Sequence, residues 1–418
     1  MSIDEVLATS DSELFTTQIS SLKITSPQML GRKTVYGEVP LIDLLEVFEG
    51  CFHISAKYPP IKTLVNSAIK QTELINHTFG WDLSRATLRS WKYVENPSLP
   101  NLIRFFQVHS IDIDKTWKEI SLKSRGSPWI KLARYVPFDE NFAYVIGALL
   151  ADRGHKQEIS IIDMDLEILK EFVERLCPCF PLKKSDFFVY VHALEQPSSE
   201  FLNHVSAALE IPIPKIKVIK KSPSKCSPTI YFRVGVRNAI VRAIVDYGIA
   251  FVERTLEKMP PKVKASLLGG LLNGEGSIYK GRYSWILGFE CYDQNVLTLA
   301  KTLIKELKVK IFPSKTKFCL ILKSKWFIKE LLKIPIVGEK KKKLMQACDE
   351  VRASLCMDDI VREFCNSEFT ARDVADKFQI SYKRANQFIV RLIKKKQAKI
   401  EGEKYTAVNR DEQHAIYW

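Results

Sequence analysis

The sequence predicts an α+β chain with a duplicated, pseudo-symmetric central core, an N-terminal helical domain and a C-terminal winged helix. Three observations predict it. An apolar helix that ends in a small residue and a carboxylate occurs twice, in NFAYVIGALLADRG and in VKASLLGGLLNGEG. Each copy is followed by short β-patterned runs alternating with amphipathic helices. After about residue 358, two Ser/Thr-capped helical segments lead into a hairpin pattern centred on Gly402.

At 418 residues the chain has room for several domains. Its 63 Lys and Arg against 48 Asp and Glu give a formal net charge of +15, a balance that favours a polyanionic partner, nucleic acid first. The opening MSIDEVLATSDSE carries acids and no apolar run, so no signal peptide is expected. No stretch reaches the length of a membrane span, and the expected location is cytoplasmic, in association with DNA. The 9 cysteines show no zinc or redox spacing; Cys177 and Cys179 are only one residue apart. They read as small hydrophobes. The 7 histidines, His109, His155, His192 and His204 among them, show no ligand spacing either.

From the N-terminus, residues 1–115 read as a helical domain. PPIKTLVNSAIKQTELINHTFG has helical periodicity, and Ser84 is placed to cap a short basic helix carrying Arg85 and Arg89. Three short helices of this kind suit a helix-turn-helix, with an ordinary helical bundle as the alternative. Residues 116–140, rich in basic and aromatic side chains, read as a linker.

The first core half, 141–248, is expected to run helix, strand EISIID, helix DLEILKEFVERL, strand DFFVYVH, helix, strands PKIKVIKK and TIYFRVG, then a closing helix. The second half, 249–350, runs helix, strands GSIY and YSWILGFECYD joined at Lys280 and Gly281, helix VLTLAKTLIKELKV, strands KIFPS and TKFCLILKS, and a helix from about Trp326. Residues 351–418 form the winged helix, with Thr370 and Ser381 as caps. Lys383, Arg384 and Gln387 fall at the start of its recognition helix.

Small residues four apart, Gly147 with Ala151 and Gly270 with Gly274, line one face of each apolar helix and let the two backbones approach. Such packing brings together the carboxylates that end them, Asp152 and Glu275. Paired carboxylates need a positive charge between them, and Mg2+ or another divalent cation with oxygen ligands supplies it. An ion there can activate water against a phosphodiester. Lys156, Lys280 and Arg282 are placed to face a duplex.

The stretches GGLLNGEGS at 269–277 and IGALLADRG at 146–154 resemble the paired helices of the LAGLIDADG homing endonuclease family, single-chain type, over about half the chain. The resemblance implies a divalent-metal-dependent, double-strand DNA endonuclease acting at a long site, with Asp152 and Glu275 holding metal. It further implies a basic residue from a later strand of each half, for which Lys225 and Lys317 are the positional candidates. Two departures stand out. Arg153 occupies the place of the motif's terminal glycine and could pair with Asp152, and a helix interrupts the first hairpin.

The alternative reading is a non-cleaving, sequence-specific DNA-binding regulator built on a degenerate core. RNA work is a third, for which the basic run EKKKKL at 339–344 is also suited. In each case the core is expected to be monomeric and away from membranes.

Overall fold

The computed structural model describes residues 35–407, apart from 37–38, 52, 67–84, 94–95, 126, 155–157, 222–229, 282–283, 307–311, 314–315, 323–324, 352–356, 365–366, 379, 396–397 and 402–403. At the N-terminal end β1 (Val35–Tyr36) and β2 (Val39–Asp43) pair antiparallel, and the Asp43 carboxylate caps the short α1 (Leu44–Val47). β3 (Ser55–Lys57), α2 (Arg85–Tyr93), α3 (Leu99–Val108), α4 (Ile113–Thr116), β4 (Ser121–Lys123) and β5 (Tyr135–Pro137) follow.

This part departs from the sequence expectation. β2 pairs with β5, Leu41 opposite Pro137, and β3 pairs with β4, Ser55 opposite Lys123. The N-terminal region is therefore mixed rather than helical, and residues 116–140 are woven into it rather than linking it onward. Strands of three to five residues are too short to show periodicity, so only their distant partners define them. Buried Trp117 donates its indole N–H to the Leu132 carbonyl at 2.9 Å. Buried Arg134 is held by Asp43 at 3.0 Å and by Asp114. Ser84 lies outside the described residues.

The middle of the chain begins with α5 (Glu140–Asp152), capped by Asp139. β6 (Ile159–Asp163), α6 (Leu166–Cys179), β7 (Phe187–Ala193), α7 (Ser199–Leu209), β8 (Ile216–Lys220), β9 (Ile230–Val236) and α8 (Ala239–Thr255) complete the first stretch. α9 (Pro261–Glu275) opens the second, its proline at the first turn where no amide hydrogen is needed. β10 (Gly276–Lys280), β11 (Trp285–Glu290), α10 (Gln294–Glu306), β12 (Phe312–Pro313), β13 (Lys317–Leu322), α11 (Lys325–Leu331) and α12 (Gly338–Glu350) follow.

The linear order of elements is the expected one up to α11, α12 being an additional helix, but the two sheets are not built alike. The second has the order β10-β11-β13-β12 with antiparallel pairing throughout. The first has the order β6-β9-β7-β8, and β7 and β8 run parallel. A helix between β6 and β7 forbids a tight hairpin, so the last strand, β9, takes the place beside β6. The α7 crossover then forces β8 parallel to β7. The expectation of a pseudo-symmetric repeat is corrected at this level: the described residues form a mixed α/β fold with two differently wired four-stranded sheets.

Beyond α12 come α13 (Met357–Glu363), β14 (Glu368–Phe369), α14 (Ala371–Phe378), α15 (Tyr382–Lys394), β15 (Ala398–Glu401) and β16 (Lys404–Ala407). They enclose a separate small core around Phe369, Val374, Ala385, Ile389 and Leu392. Thr370 and Asp373 cap α14 reciprocally, and Ser381 caps α15. Gly402 lies outside the described residues.

Candidate functional site

α5 and α9 make the most extensive helix contact among the described residues. Both are apolar nearly all round, as helices in the centre of a core must be: Phe142 to Leu149 are buried in one and Ser266 to Asn273 in the other. Their backbones touch. A Cβ on Gly147 would stand 2.1 Å from the Leu267 carbonyl oxygen, and one on Gly270 would stand 2.2 Å from that of Tyr144. At the C-terminal end Gly274 lies against the Ala151 methyl.

The helices end side by side, so Asp152 and Glu275 interact. Burial, then the charges of Asp163 and Glu275, push the Asp152 carboxyl up to about 6, against an opposing pull from Lys340. Burial also raises Glu275; Lys340 opposes this and Glu290 adds to it. Asp163, at the end of β6, is raised chiefly by burial. It is a third acid that the sequence reading passed over, although it closes the strand next to the motif.

The residue that reading missed most plainly is Lys340. Its ammonium donates to the carbonyls of Leu272 at 3.2 Å, Gly274 at 3.0 Å and Asn273, capping the negative end of α9. Asp163, Glu275, Asp165 and Asp152 all favour its charged form, while burial, the larger influence, lowers its pKa. Two anchors aim it there. Fully buried Asn273 donates to Tyr144 at 2.8 Å and to the Pro335 carbonyl at 2.9 Å, and accepts from the Val337 amide at 3.2 Å. Asp165 accepts from the Glu339 amide at 2.8 Å, seating the start of α12. Of the basic run EKKKKL, read from the sequence as suited to nucleic acid, Lys340 is instead half-buried against the end of α9.

This arrangement bears on the expected divalent ion. Oxygen ligands are what Mg2+ requires, yet the helix-end carbonyls beside Glu275 already accept from Lys340. Among the described residues no three His, Cys, Asp or Glu side chains gather in a metal-holding group. A lysine ammonium is thus one source of the positive charge that the paired carboxylates need.

The remaining candidates are dispersed. Arg153 pairs with Asp246 at 2.8 Å, where the sequence suggested Asp152. Lys280, expected to face phosphate, pairs with Glu350 at 2.7 Å. Hydrogen bonds from Lys280, Trp285 and Gln346 pull the Glu350 carboxyl down to about 2. Lys317 is exposed at the start of β13, opposite Glu290. Arg85 opens α2, Arg89 is exposed on the same helix, and Lys383, Arg384 and Gln387 are exposed on the first turns of α15. Lys156, Lys225, Arg282 and His155 lie outside the described residues.

The raised Asp152 carboxyl has a stability consequence. A native pKa of about 6 against 3.8 means that the folded state holds the proton more tightly. Stability then falls as pH rises through that window, and the cost is complete above it. Asp152→Asn is expected to stabilise the protein by about 2 kcal/mol at pH 8, some water contact reducing the full effect, with the gain fading towards pH 4. Denaturant melts of both proteins at the two pH values check this; equal midpoints at pH 8 would refute it.

No family model matches the chain, and no curated protein matches it. Solved structures do. A mesophilic variant of the homing endonuclease I-DmoI is 14% identical, with 49% of this chain and 97% of that one covered and a TM-score of 0.25. I-DmoI in complex with DNA and Ca is 14% identical, with 47% and 90% covered and a TM-score of 0.24. The N-terminal LAGLIDADG domain of WhiA is 17% identical, with 50% and 89% covered and a TM-score of 0.24. The similarity to these LAGLIDADG structures is distant and spans about half of this chain. None of its described helices is long and apolar enough to cross a membrane.

Proposed function

We propose that this chain is a double-stranded DNA-binding protein that keeps a LAGLIDADG-type helix pair as a frame and does not cut. The observation that carries this reading is Lys340, whose ammonium sits on the carbonyls at the end of α9 and offsets part of the negative charge of the acids there. DNA binding is supported by the net charge of +15 and by α15, which turns Ala385, Ile389 and Leu392 inward and leaves Lys383, Arg384 and Gln387 exposed. We read the segment from Met357 to Ala407 as a winged helix with α15 as its recognition helix. The N-terminal unit ends with β5 at Pro137, and the core spans α5 to α12.

A second reading, the metal-dependent endonuclease, is favoured by the convergence of Asp152 and Glu275. One experiment separates them. Fluorescence anisotropy with duplex libraries is expected to show salt-dependent binding that Lys383→Glu with Arg384→Glu weakens about a hundredfold. The same duplexes, incubated with Mg2+ or Mn2+, should stay intact. Cleavage that Asp152→Asn abolishes would establish the nuclease instead, and an absence of duplex binding would sink both readings.

A further inference from the structure

The open face of the first sheet carries a pattern that duplex binding leaves unexplained. Along β7, Phe187, Val189, Val191 and Ala193 are buried, so Phe188, Tyr190 and His192 stand on the opposite face. Register sets Arg233 of β9 and Lys217 of β8 beside Tyr190, and Tyr231 and Ile219 beside His192. Aromatic rings and cations therefore alternate across three neighbouring strands.

These groups are held in place. Glu158, whose side chain is 9% exposed, takes Arg233 at 2.8 Å and Arg237 at 2.6 Å. Arg237 also donates to the Tyr190 hydroxyl at 2.7 Å. The Arg233 guanidinium lies 4.9 Å from the Tyr190 ring centre, and that of Arg237 lies 4.9 Å from Phe188. His192 stacks on Tyr231 at 4.5 Å and 11°, and the Lys221 ammonium stands 4.5 Å from the Tyr231 ring centre. Burial, then Arg233 and Lys221, lower the His192 pKa, which favours its neutral imidazole.

A cleft of about 440 Å³ opens beside this lattice, lined by Phe188, Tyr190, Lys215, Lys217, Arg237 and Asp186. That is the size of a small-ligand site, with a lining in which charged and aromatic side chains are mixed. We propose that this face holds single-stranded nucleic acid, with one unstacked base in the cleft against Phe188 and Tyr190 and the flanking phosphates on Lys215, Lys217 and Arg237.

A duplex offers only base edges in its grooves, whereas splayed bases offer ring faces that flat side chains can cover. Asp186 can accept from an exocyclic amine at the rim. At the far side Tyr231 lines a second cleft together with Asp152 and Asp163, whose charges turn a phosphate backbone away. The second sheet lacks the pattern: its described exposed strand positions are Ser277, Tyr279, Lys280, Glu290 and Lys317. The inference is independent of the duplex reading, which rests on α15.

The test uses the full chain with short labelled single strands, base-bearing or abasic at equal charge, and with a blunt duplex. Base-bearing strands should bind about tenfold more tightly than abasic ones, and 2-aminopurine in the strand should be quenched. Tyr190→Ala should erase that tenfold preference, and Tyr190→Phe should keep it. Lys217→Glu, at an exposed position, should weaken both strands and reports even if the alanine variant unfolds. Ribose and deoxyribose strands, compared directly, identify the natural ligand, and a preference for either supports the proposal. Equal binding of abasic and base-bearing strands, or a folded Tyr190→Ala protein with unaltered preference, would overturn it. Loss of duplex binding with this preference intact would overturn only the duplex reading.

Discussion

Replacing Lys340 with methionine should destabilise the core by about 2 to 3 kcal/mol, the cost of a buried ion pair reduced because the cluster is only half-buried. The substitution keeps the aliphatic stem and removes the ammonium. The carbonyls of Asn273 and Gly274 then lose this donor, that of Leu272 keeps only the Gly276 amide, and Asp152, Asp163 and Glu275 are left without the Lys340 charge. Arginine is no substitute, since a planar fork cannot direct its donors at three carbonyls around a helix end. Asp152→Asn in the same chain should recover part of the loss, because it removes one of the stranded charges. The test is a double-mutant cycle followed by thermal melting, in which the two changes depart from additivity by at least about 1 kcal/mol. Strict additivity, or a Lys340→Met protein as stable as the parent, would show that the ammonium is not the resident counter-charge.

Gly270→Val is expected to be comparably severe, at about 3 kcal/mol or more. The position has no flexible neighbour to yield: a Cβ would meet the Tyr144 oxygen at 2.2 Å and the Ala148 nitrogen at 2.6 Å, both backbone atoms. One helix must move, and every contact along the pair moves with it. Gly270→Ala should already cost a large share, because the clash begins at the first carbon. Circular dichroism melts compare both variants with Gly281→Ala, where the nearest atom belongs to the end of the Ile286 side chain at 2.9 Å and can give way. A Gly270→Val protein that melts with the parent would disprove the close approach.

The helix pair was legible in the sequence because its signal is local. Small residues four apart followed by an acid can be read locally, and the terminal carboxylates mark the ends of α5 and α9; their starts at Asp139 and Pro261 were not read. Strand order was not legible. The runs that became β6 to β9 are each visible, but nothing in them says that β9 inserts beside β6; pairing across most of a domain decides it. The N-terminal strands were hidden by brevity. Lys340 was hidden by its neighbours, since four consecutive lysines look alike until Asn273 and Asp165 fix the entry to α12 and single one out. The sheet-face lattice was half visible: the alternation in DFFVYVH was present, but Arg233 and Lys217 reach Tyr190 only through register.

The placement of Lys340 also imposes an order on synthesis. The acids at the ends of α5 and α9 are made long before α12, so a growing chain carries an unbalanced cluster of negative charge at the convergence of its two central helices. Local assembly cannot relieve it. Only when Gly338–Glu350 has left the ribosome and docked does the cluster acquire its cation, so completion of the central helix pair waits on a segment well downstream. α12 thus acts as a closing latch, supplying from far downstream the cation that the end of α9 needs.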